Sequence, residues 1–373
     1  MRILMLNYEY PPLGGGAAPV TEEILKNLAL KGHVIDIVTM GFKNLPATEI
    51  KDGITIHRVP CIRSQESKCK FHEMLSFLPI GFWKSRQLIK QNKYDFVHSH
   101  FIIPTGVISL LLNKLYKLPY IITAHGSDVP GHNPDKFNKL HTFILPIWKK
   151  IVANSFKVIS PSEYLGKRIT ESYSKTSLEV IPNGFDYHRI RPDRIKDKRI
   201  LVSSRLLKMK GIQHFIKCLG CITTDWEIVI VGDGDYKKEL EAMAKSSNLN
   251  IMFTGWLKRD ALQDLLETSA IYVFTSSNEN CPVALQEAMA AGCAIIASKY
   301  SGTFEVIGDS GITIDPKDQN EFSTVLNKLL NDNELRVFFG KKARERIEIE
   351  YDWGIISNKY IEIFNQACDS RFT

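Results

Sequence analysis

Short apolar segments rich in β-branched residues alternate with helix-period segments along the whole chain. Near-continuous apolar strands indicate a sheet buried on both faces, and their alternation with helices indicates parallel strands joined by crossover helices. Each half is therefore predicted to be a doubly wound, Rossmann-like α/β domain. The predicted strands are 2–7, 34–39, 54–59, 95–100, 120–125, 157–160 and 179–182 in the first half, and ILVSS, EIVIVG, NIMFTG, IYVFTS and AIIAS in the second.

A length of 373 residues favours two domains over one. The polar, charged stretch NGFDYHRIRPDRIKDK has neither the helix nor the strand period, and it marks the boundary. We predict an N-terminal domain over 1–182, a linker over 183–198, a C-terminal domain over 199–350 and a terminal helix over 351–373.

The composition is that of a globular protein, with 44% hydrophobic and 24% charged residues. No apolar run reaches the roughly 18 residues of a spanning helix, and MRILMLNYEY resembles a strand rather than a secretory signal. These features predict a cytoplasmic protein. The seven cysteines are scattered, and Cys218 and Cys221 are expected to be buried thiols rather than zinc or redox ligands.

The positive charge is concentrated in the first half of the chain. Up to Arg189 there are 24 Lys and Arg residues against 15 Asp and Glu, while the remainder has 24 against 26. A basic half suggests an anionic surface or an anionic ligand. We expect no nucleic-acid partner, because no recognition module is present.

Two segments have the composition of phosphate-binding loops. Gly14, Gly15 and Gly16 follow the first strand and precede a helix, where small residues allow a phosphate to approach the amides. A plain tight turn is the alternative, since the segment is neither a Walker loop nor GxGxxG. Arg205 and Lys210, in SSRLLKMKG, follow the first strand of the second half and could neutralise a diphosphate, or be solvated surface charges.

Carboxylates and a histidine follow three other strands or open the next helix. Glu279 lies in the loop after IYVFTS, and Glu287 lies on the helix that follows Pro282. Carboxylates accept hydrogen bonds from sugar hydroxyls. His125 and Asp128, in THGSD, also follow a strand; such a histidine could be a base, a hydrogen-bond donor or a structural cap.

Taken together, these segments resemble the family 4 (group 1) retaining glycosyltransferases of the GT-B fold. The resemblance covers nearly the whole chain, and its most specific part is the glutamate pair with EAMAAG, joined to the Arg–Lys pair. The motifs that carry it, in order, are GGG, LALKGHVIDIVT, HSHF, THGSD, IPNGFD, RLLKMKG, VGDGD, FTGWL, ENCPVALQEAMAAG and SGTFEVIGDSG.

The resemblance implies an acceptor domain followed by a nucleotide-sugar domain, facing across a cleft, with the last helix crossing back to the first domain. It implies that His125 and Glu279 act at the donor sugar and that Glu287 bonds the ribose. The other implied donor-binding residues are Gly15, Gly16, Arg205 and Lys210 at the diphosphate, Gly255 and Leu257 near the base, and Val283 and Ala284 at sugar and phosphate. Asn280, Cys281 and Pro282 stand where relatives often have Gly-Phe-Gly, so phosphate seating is expected to differ slightly.

The implied reaction is transfer of a hexose-type sugar, with retention, from a UDP- or GDP-linked donor to a lipid-linked glycan, glycolipid or polysaccharide. No cofactor or metal is expected; Asp233 and Asp235 of VGDGD are predicted to form a turn and a helix cap. Alternatives of the same architecture are a nucleotide-sugar epimerase and a nucleotide-sugar-binding protein without turnover. A dehydrogenase is disfavoured because no GxGxxG with an acidic partner is present.

The segment from Lys68 to Lys93 carries six cations against one acid, Glu73, with aromatic residues interleaved. Such a basic, aromatic segment suits an anionic membrane surface. The aromatic residues are Phe71, Phe77, Phe82 and Trp83, and Trp148 with Lys149 and Lys150 is a predicted extension. A solvated basic helix over ordinary core contacts is the alternative. The expected location is thus cytoplasmic, with peripheral association at the membrane.

Overall fold

The chain divides into two units, and the second unit lies in the sequence between the two segments that form the first. A computed structural model describes residues 1–132 and 134–369, with side chains described for 1–132 and 144–369. Unit 1 comprises Met1–Gly184 and Trp353–Thr373, and unit 2 comprises Phe185–Asp352. Residues 370–373 of the predicted terminal helix segment lie outside the described residues.

The described part of unit 1 contains an eight-stranded sheet. Its strands, in chain order, are β1 (Arg2–Leu6), β2 (Val34–Met40), β3 (Thr48–Lys51), β4 (Ile54–Val59), β5 (Phe96–His100), β6 (Tyr120–Thr123), β7 (Lys157–Ser160) and β8 (Leu178–Val180). They lie in the order β3-β4-β2-β1-β5-β6-β7-β8. Seven strands are parallel, as their apolar runs predict, and β1 is buried between β2 and β5.

The exception is β3, which pairs antiparallel with β4 and was not predicted. Asp52 and Gly53 join the two strands, and both have positive φ, at 51° and 77°. An Asp-Gly pair is a strong hairpin signal because such turns need two left-handed residues. The segment was missed because β3 is short and exposed, without an apolar pattern.

Helices cover both faces of this sheet. They are α1 (Ala17–Leu30), α2 (Phe71–Gln91), α3 (Thr105–Tyr116), α4 (Pro134–Asn154), α5 (Glu163–Ser172) and, after unit 2 in the sequence, α13 (Trp353–Asp369). One core lies between the sheet and α1 with α13, where Phe364 packs on Phe96 with ring centres 4.7 Å apart. The described residues of α2 to α5 enclose the other core.

Unit 2 contains a six-stranded parallel sheet within its described residues. Its strands are β9 (Asp197–Ser203), β10 (Glu227–Val231), β11 (Ile251–Gly255), β12 (Ser269–Phe274), β13 (Ala294–Ser298) and β14 (Ile312–Ile314). Their order, β11-β10-β9-β12-β13-β14, is that of the dinucleotide-binding fold. The three-residue β14 was not predicted.

The helices of unit 2 again lie on both faces of its sheet. They are α6 (Ile212–Leu219), α7 (Lys237–Ser246), α8 (Arg259–Thr268), α9 (Val283–Ala290), α10 (Ser301–Ile307), α11 (Gln319–Asn331) and α12 (Asn333–Glu350). Helices α6, α7 and α11 pack on one face, and α8, α9, α10 and α12 pack on the other. Cys218 of α6 is buried as predicted, but Cys221 is exposed.

Candidate active site

The central strands of each sheet define where a ligand is expected. In unit 2, β9 is flanked by β10 and β12, and in unit 1, β1 is flanked by β2 and β5. In unit 2 the chain proceeds from β9 toward one edge of the sheet and then crosses to β12 and proceeds toward the other edge, and in unit 1 the same reversal lies between β1 and β5. Parallel sheets bind ligands outside the carboxyl ends of strands at such a reversal.

Lys210 and Glu279, predicted separately, form an ion pair at this end of unit 2. The Lys210 Nζ donates to Glu279 Oε1, and the two side chains are 13% and 17% exposed. The Thr275 hydroxyl donates to the Lys210 carbonyl at 2.9 Å, which joins the loop after β9 to the end of β12. Arg205 is exposed and has no ion pair among the described residues.

Helix α10 holds the loop that carries Glu279. The Glu279 amide donates to Ser301 Oγ at 3.0 Å, and the Gly302 amide donates to the Glu279 carbonyl at 2.9 Å. A Cβ on Gly302 would lie 1.6 Å from the Asn280 carbonyl oxygen. Only glycine therefore allows this approach, which gives the SGT of SGTFEVIGDSG a structural role.

The VGDGD turn supports the loop that carries Arg205. The Leu206 amide donates to the Asp233 carbonyl at 2.9 Å. A Cβ on Gly232, where φ is 133°, would lie 1.9 Å from the Ser204 carbonyl oxygen. Asp233 Oδ1 accepts the Gly234 amide at 2.8 Å, as expected for a turn residue.

Glu287 is a half-buried carboxylate on α9. It has no hydrogen bond or ion pair among the described residues. Burial raises its pKa, against a smaller lowering by the charge of Arg259. A carboxylate without a hydrogen-bond donor, near the carboxyl end of the parallel sheet, is suited to accept hydrogen bonds from hydroxyl groups.

The remaining predicted residues of unit 2 lie at the starts of α9 and α8. Pro282 is the N-cap of α9, and Val283 is exposed while Ala284 is half-buried. Gly255 ends β11 with φ of 70°, and the half-buried Leu257 packs against the core that includes α9. The sequence prediction missed Trp256 between them, which is 75% exposed. An exposed tryptophan beside the predicted base position is suited to stacking.

In unit 1, the glycine loop leaves open space around two of its members. A Cβ on Gly15 or Gly16 would meet no atom within 4 Å, whereas one on Gly14 would lie 2.6 Å from Glu9 Cβ. The Gly15 amide donates to Glu9 Oε2 at 3.4 Å. Burial raises the pKa of Glu9, although this bond and Arg63 oppose the effect. Glu9 had not been recognised from the sequence.

Asp128 shapes the loop that carries His125. Its Oδ1 accepts the amides of His125 and Gly126 at 3.0 and 2.9 Å, and its Oδ2 accepts the amide of Ile102 at 2.6 Å. Asp128 therefore joins the loop after β6 to the loop after β5. Burial raises its pKa, while these three bonds act in the opposite direction.

His125 belongs to a histidine cluster, which we define as His98, His100 and His125; His98 and His100 are fully buried, and His125 is half-buried. His100 Nδ1 lies 3.0 Å from His125 Nε2, and His98 Nε2 lies 2.8 Å from Thr123 Oγ1. Burial lowers the pKa of His98 and of His125 to about 3. The sequence HSH at the end of β5 is the feature from which this cluster could have been predicted.

The basic segment from Lys68 to Lys93 forms α2 and the loop before it. Phe71, Leu75 and Trp83 are 36%, 44% and 60% exposed, at a spacing that places them along one side of the helix. Arg86 lies over the Trp83 ring, 5.0 Å from its centre. Two predicted members are wrong: Phe77 is buried in the core, and the buried Trp148 donates its Nε1–H to the Asp128 carbonyl.

A cavity of about 430 Å³ lies at the other end of the unit 2 sheet. Lys196 and Arg336 line it, but both bond backbone carbonyls: Lys196 Nζ lies 2.6 Å from the Ala291 oxygen, and Arg336 Nη1 lies 3.1 Å from the Leu330 oxygen. Because this cavity is at the amino ends of the strands, it is not the candidate site.

The described part of the chain contains neither a candidate metal site nor a candidate membrane-spanning helix. Among the side chains described for residues 1–132 and 144–369, no group of three or more His, Cys, Asp or Glu is arranged to hold a metal ion. In the same part of the chain, no helix combines the length and apolar character needed to cross a bilayer.

Comparison with known families defines the class of this protein. Residues 14–189 match the model described as Glycosyltransferase Family 4, and residues 186–346 match that described as Glycosyl transferases group 1. The chain belongs to the family 4, group 1 glycosyltransferases. An uncharacterised glycosyltransferase of Methanocaldococcus jannaschii is 25% identical over 397 residues, covering 99% of each chain.

Solved structures confirm the fold. A sucrose-phosphate synthase from Thermosynechococcus elongatus has a TM-score of 0.82 at 18% identity, covering 99% of this chain and 100% of the other. HepE of Anabaena in complex with UDP has a TM-score of 0.79 at 20% identity, covering 98% and 100%. The two parallel-sheet α/β domains are therefore of the GT-B type. The family matches identify the protein as a glycosyltransferase.

Proposed function

We propose that this glycosyltransferase moves a hexose-type sugar, with retention and without a metal, from a UDP- or GDP-linked donor to a lipid-linked glycan, glycolipid or polysaccharide. The observation that carries the proposal is the convergence at the carboxyl end of the unit 2 sheet. There an exposed Arg205 follows β9, the Lys210–Glu279 pair joins the loops after β9 and β12, and the unpaired, half-buried Glu287 lies on α9, which follows the second of these loops. Cations for a diphosphate and acceptors for sugar hydroxyls are the groups that a nucleotide sugar requires.

Each part of the donor is assigned to groups of unit 2. Arg205, Lys210 and the amides of Val283 and Ala284 bind the diphosphate, since a helix amino terminus favours anions. Glu287 accepts the ribose hydroxyls, and the base lies near Gly255 and Leu257, with Trp256 available to stack. Glu279 lies at the donor sugar and keeps Lys210 in place.

Unit 1 is assigned the remaining contacts. Gly15 and Gly16 approach the diphosphate, since open space surrounds the position of each Cβ. His125 donates to a hydroxyl of the transferred sugar. The bond between the anomeric carbon and the phosphate oxygen breaks, the acceptor oxygen bonds that carbon on the same face, and the acceptor proton passes to the leaving phosphate. Arg205 and Lys210 stabilise the charge that develops there.

The experiment follows transfer directly. Candidate UDP- and GDP-sugars are incubated with the protein, EDTA and glycolipid or polysaccharide acceptors, and the release of nucleoside diphosphate and the product's anomeric configuration are measured. We expect acceptor-dependent release and a retained configuration. An inverted product would contradict retention, a requirement for added Mg²⁺ would contradict metal independence, and acceptor-independent sugar interconversion would indicate an epimerase.

We also propose that unit 1 associates peripherally with anionic membranes through α2. The exposed apolar side of α2, formed by Phe71, Leu75 and Trp83, lies among the cations of a segment with a single acid. That acid, Glu73, is buried, and its carboxylate accepts the Lys70 amide at 2.7 Å; one carboxylate against six cations leaves the segment strongly positive. Apolar side chains with flanking cations are the features that peripheral helices use.

Sedimentation with vesicles tests this surface. Binding to vesicles of phosphatidylcholine with 30% phosphatidylglycerol (about a third anionic, to exploit the charge) should fall about tenfold in Trp83→Ala. Trp256→Ala removes a tryptophan of unit 2 that is more exposed than Trp83, at 75% against 60%, and should leave binding unchanged. Equal binding by Trp83→Ala and the wild type would contradict the assignment.

A further inference from the structure

The innermost member of the histidine cluster contacts the predicted sugar-binding histidine. His100 ends β5 and is fully buried. Its Nδ1 lies 3.0 Å from His125 Nε2 and 3.2 Å from Thr21 Oγ1. The two ring planes are nearly parallel, with an angle of 22° between them and centres 5.3 Å apart, as an edge-to-edge hydrogen bond between the rings requires. The fold brings them together because β5 and β6 are adjacent parallel strands.

The hydroxyl of Thr21 has no proton left for His100. It donates to the Ala17 carbonyl one turn earlier in α1, at 2.9 Å. It also accepts the side-chain amide of Asn7 at 2.8 Å. Since a hydroxyl has one proton, Thr21 Oγ1 is an acceptor toward His100.

The other ring nitrogen of His100 identifies where its proton lies. The Nε2 is buried and has no hydrogen-bond partner in the part of the chain that the structure describes. A buried N–H without a partner is rarer and more costly than a buried nitrogen lone pair. His100 is therefore protonated at Nδ1, where two acceptors are available.

We propose that His100 is a positioning residue whose Nδ1–H donates to His125 Nε2 and thereby holds His125 as the Nδ1–H tautomer. The role of that tautomer rests on the proposed function. With its Nε2 lone pair engaged, His125 donates a hydrogen bond through Nδ1 to an oxygen of the sugar. It is not the base that accepts the acceptor's proton, which agrees with transfer of that proton to the leaving phosphate.

The surroundings of the pair favour uncharged rings. Burial lowers the pKa of His125 to about 3, and burial together with the neighbouring histidines lowers that of His100 well below its usual range. Phe101 packs on His125 with ring centres 4.5 Å apart. Thr21, which also contacts His100, and Asn7, which bonds Thr21, carry no charge.

Nitrogen NMR measures the tautomer without any need for activity. Long-range ¹H–¹⁵N spectra of protein labelled with ¹⁵N-histidine distinguish a protonated Nδ1 from a protonated Nε2, and a His125→Asn variant assigns the signals. We expect the Nδ1–H pattern for His125 in the wild-type protein. The Nε2–H pattern would overturn the proposal, whether or not the protein transfers sugar.

Two amide substitutions test the role of His100. His100→Asn can place an amide N–H near the position of Nδ1, whereas His100→Gln places it near Nε2. We expect His100→Asn to retain the His125 tautomer and kcat within about threefold, and His100→Gln to lose the tautomer and about tenfold or more in kcat with a smaller change in donor KM.

His98→Asn is the matched control, because it removes a buried histidine of the same strand that bonds Thr123 instead. It should lower the melting temperature without altering the His125 tautomer. Equal loss of kcat in His100→Asn and His100→Gln, with the wild-type tautomer intact in both, would overturn the positioning role. If no variant and no wild-type protein transfers sugar, the proposed function fails, while the NMR result still decides the tautomer.

Discussion

At the scale of single residues, Glu287 illustrates a group whose environment opposes stability. Its carboxylate is half-buried without a partner, and burial raises its pKa. An acid with a raised folded-state pKa binds its proton more tightly in the folded chain, so stability falls as the pH rises through that pKa. Such an unfavourable arrangement is typical of residues kept for ligand binding.

Glu287→Gln should therefore stabilise the protein at neutral pH and weaken nucleotide binding. The charge-assisted bonds to ribose are lost, which we expect to raise the Kd of the preferred nucleoside diphosphate about tenfold or more. Thermal unfolding and calorimetric titration measure the two effects. The same titration with a 2′,3′-dideoxy nucleotide is the control, and an equal loss of affinity for it would contradict the ribose assignment.

The buried histidines predict a dependence of stability on pH. In the folded chain the pKa of His98 is about 3, whereas an unfolded histidine titrates near 6.5. As the pH falls, protons therefore bind the unfolded chain first. The contribution of His98 to the free energy of unfolding is complete above about pH 6.5 and is lost as the pH falls toward 3. Each such histidine adds a slope of about 1.4 kcal/mol per pH unit in that window.

Urea unfolding at pH 4.5 to 6.5, followed by a probe in unit 1, measures this slope. Replacing His98 with Phe removes one titrating group and should reduce the slope by about 1.4 kcal/mol per pH unit. An unchanged slope in His98→Phe would mean that His98 is already protonated in the folded protein.

At the scale of elements, the loops of the candidate site depend on glycines, because a neighbouring backbone carbonyl lies too close for any Cβ atom. Gly302→Ala would bring a Cβ to 1.6 Å from the Asn280 carbonyl oxygen, so the loop that carries Glu279 must shift. We expect kcat to fall about 100-fold and the melting temperature to fall as well. A displacement of about 1 Å of a residue that positions the substrate can lower the rate by about that factor.

Phe304→Ala is the control for this helix, because Phe304 is on α10 and 53% exposed. It should leave both the activity and the melting temperature nearly unchanged. Full activity in Gly302→Ala would mean that the position of Glu279 does not matter for transfer.

The strands and their parallel order followed from hydrophobic runs, because burial on both faces leaves a strong pattern. The edge strands β3 and β14 were missed, since β3 is exposed and β14 has three residues. The predicted site residues were recognisable by type and position. The contacts that hold these residues in place were not recognisable, because they join segments that are distant in the sequence and no local pattern encodes them. These contacts are the approach of Gly302 to Asn280, that of Gly232 to Ser204, and the bond from His100 to His125.

At the scale of the whole molecule, the chain completes one unit with two separate segments. It leaves unit 1 after Gly184, forms unit 2 and returns at Trp353, so that α13 completes the core against α1. The positive charge is concentrated in the first segment, which contains α2. The residues proposed to bind the nucleotide, Arg205, Lys210 and Glu287, all belong to unit 2, which makes donor binding the property to test first.

The most direct test is thermal unfolding in EDTA with UDP, GDP and ADP, for the wild-type protein, Arg205→Ala and the neighbouring control Lys208→Ala. A ligand at 100 times its Kd adds about 2.7 kcal/mol to the stability of the folded state. We predict that UDP or GDP raises the melting temperature of the wild type and of Lys208→Ala, and that Arg205→Ala loses most of the shift. No shift with any nucleotide, or an equal shift in Arg205→Ala, would contradict the nucleotide site that we assign to unit 2.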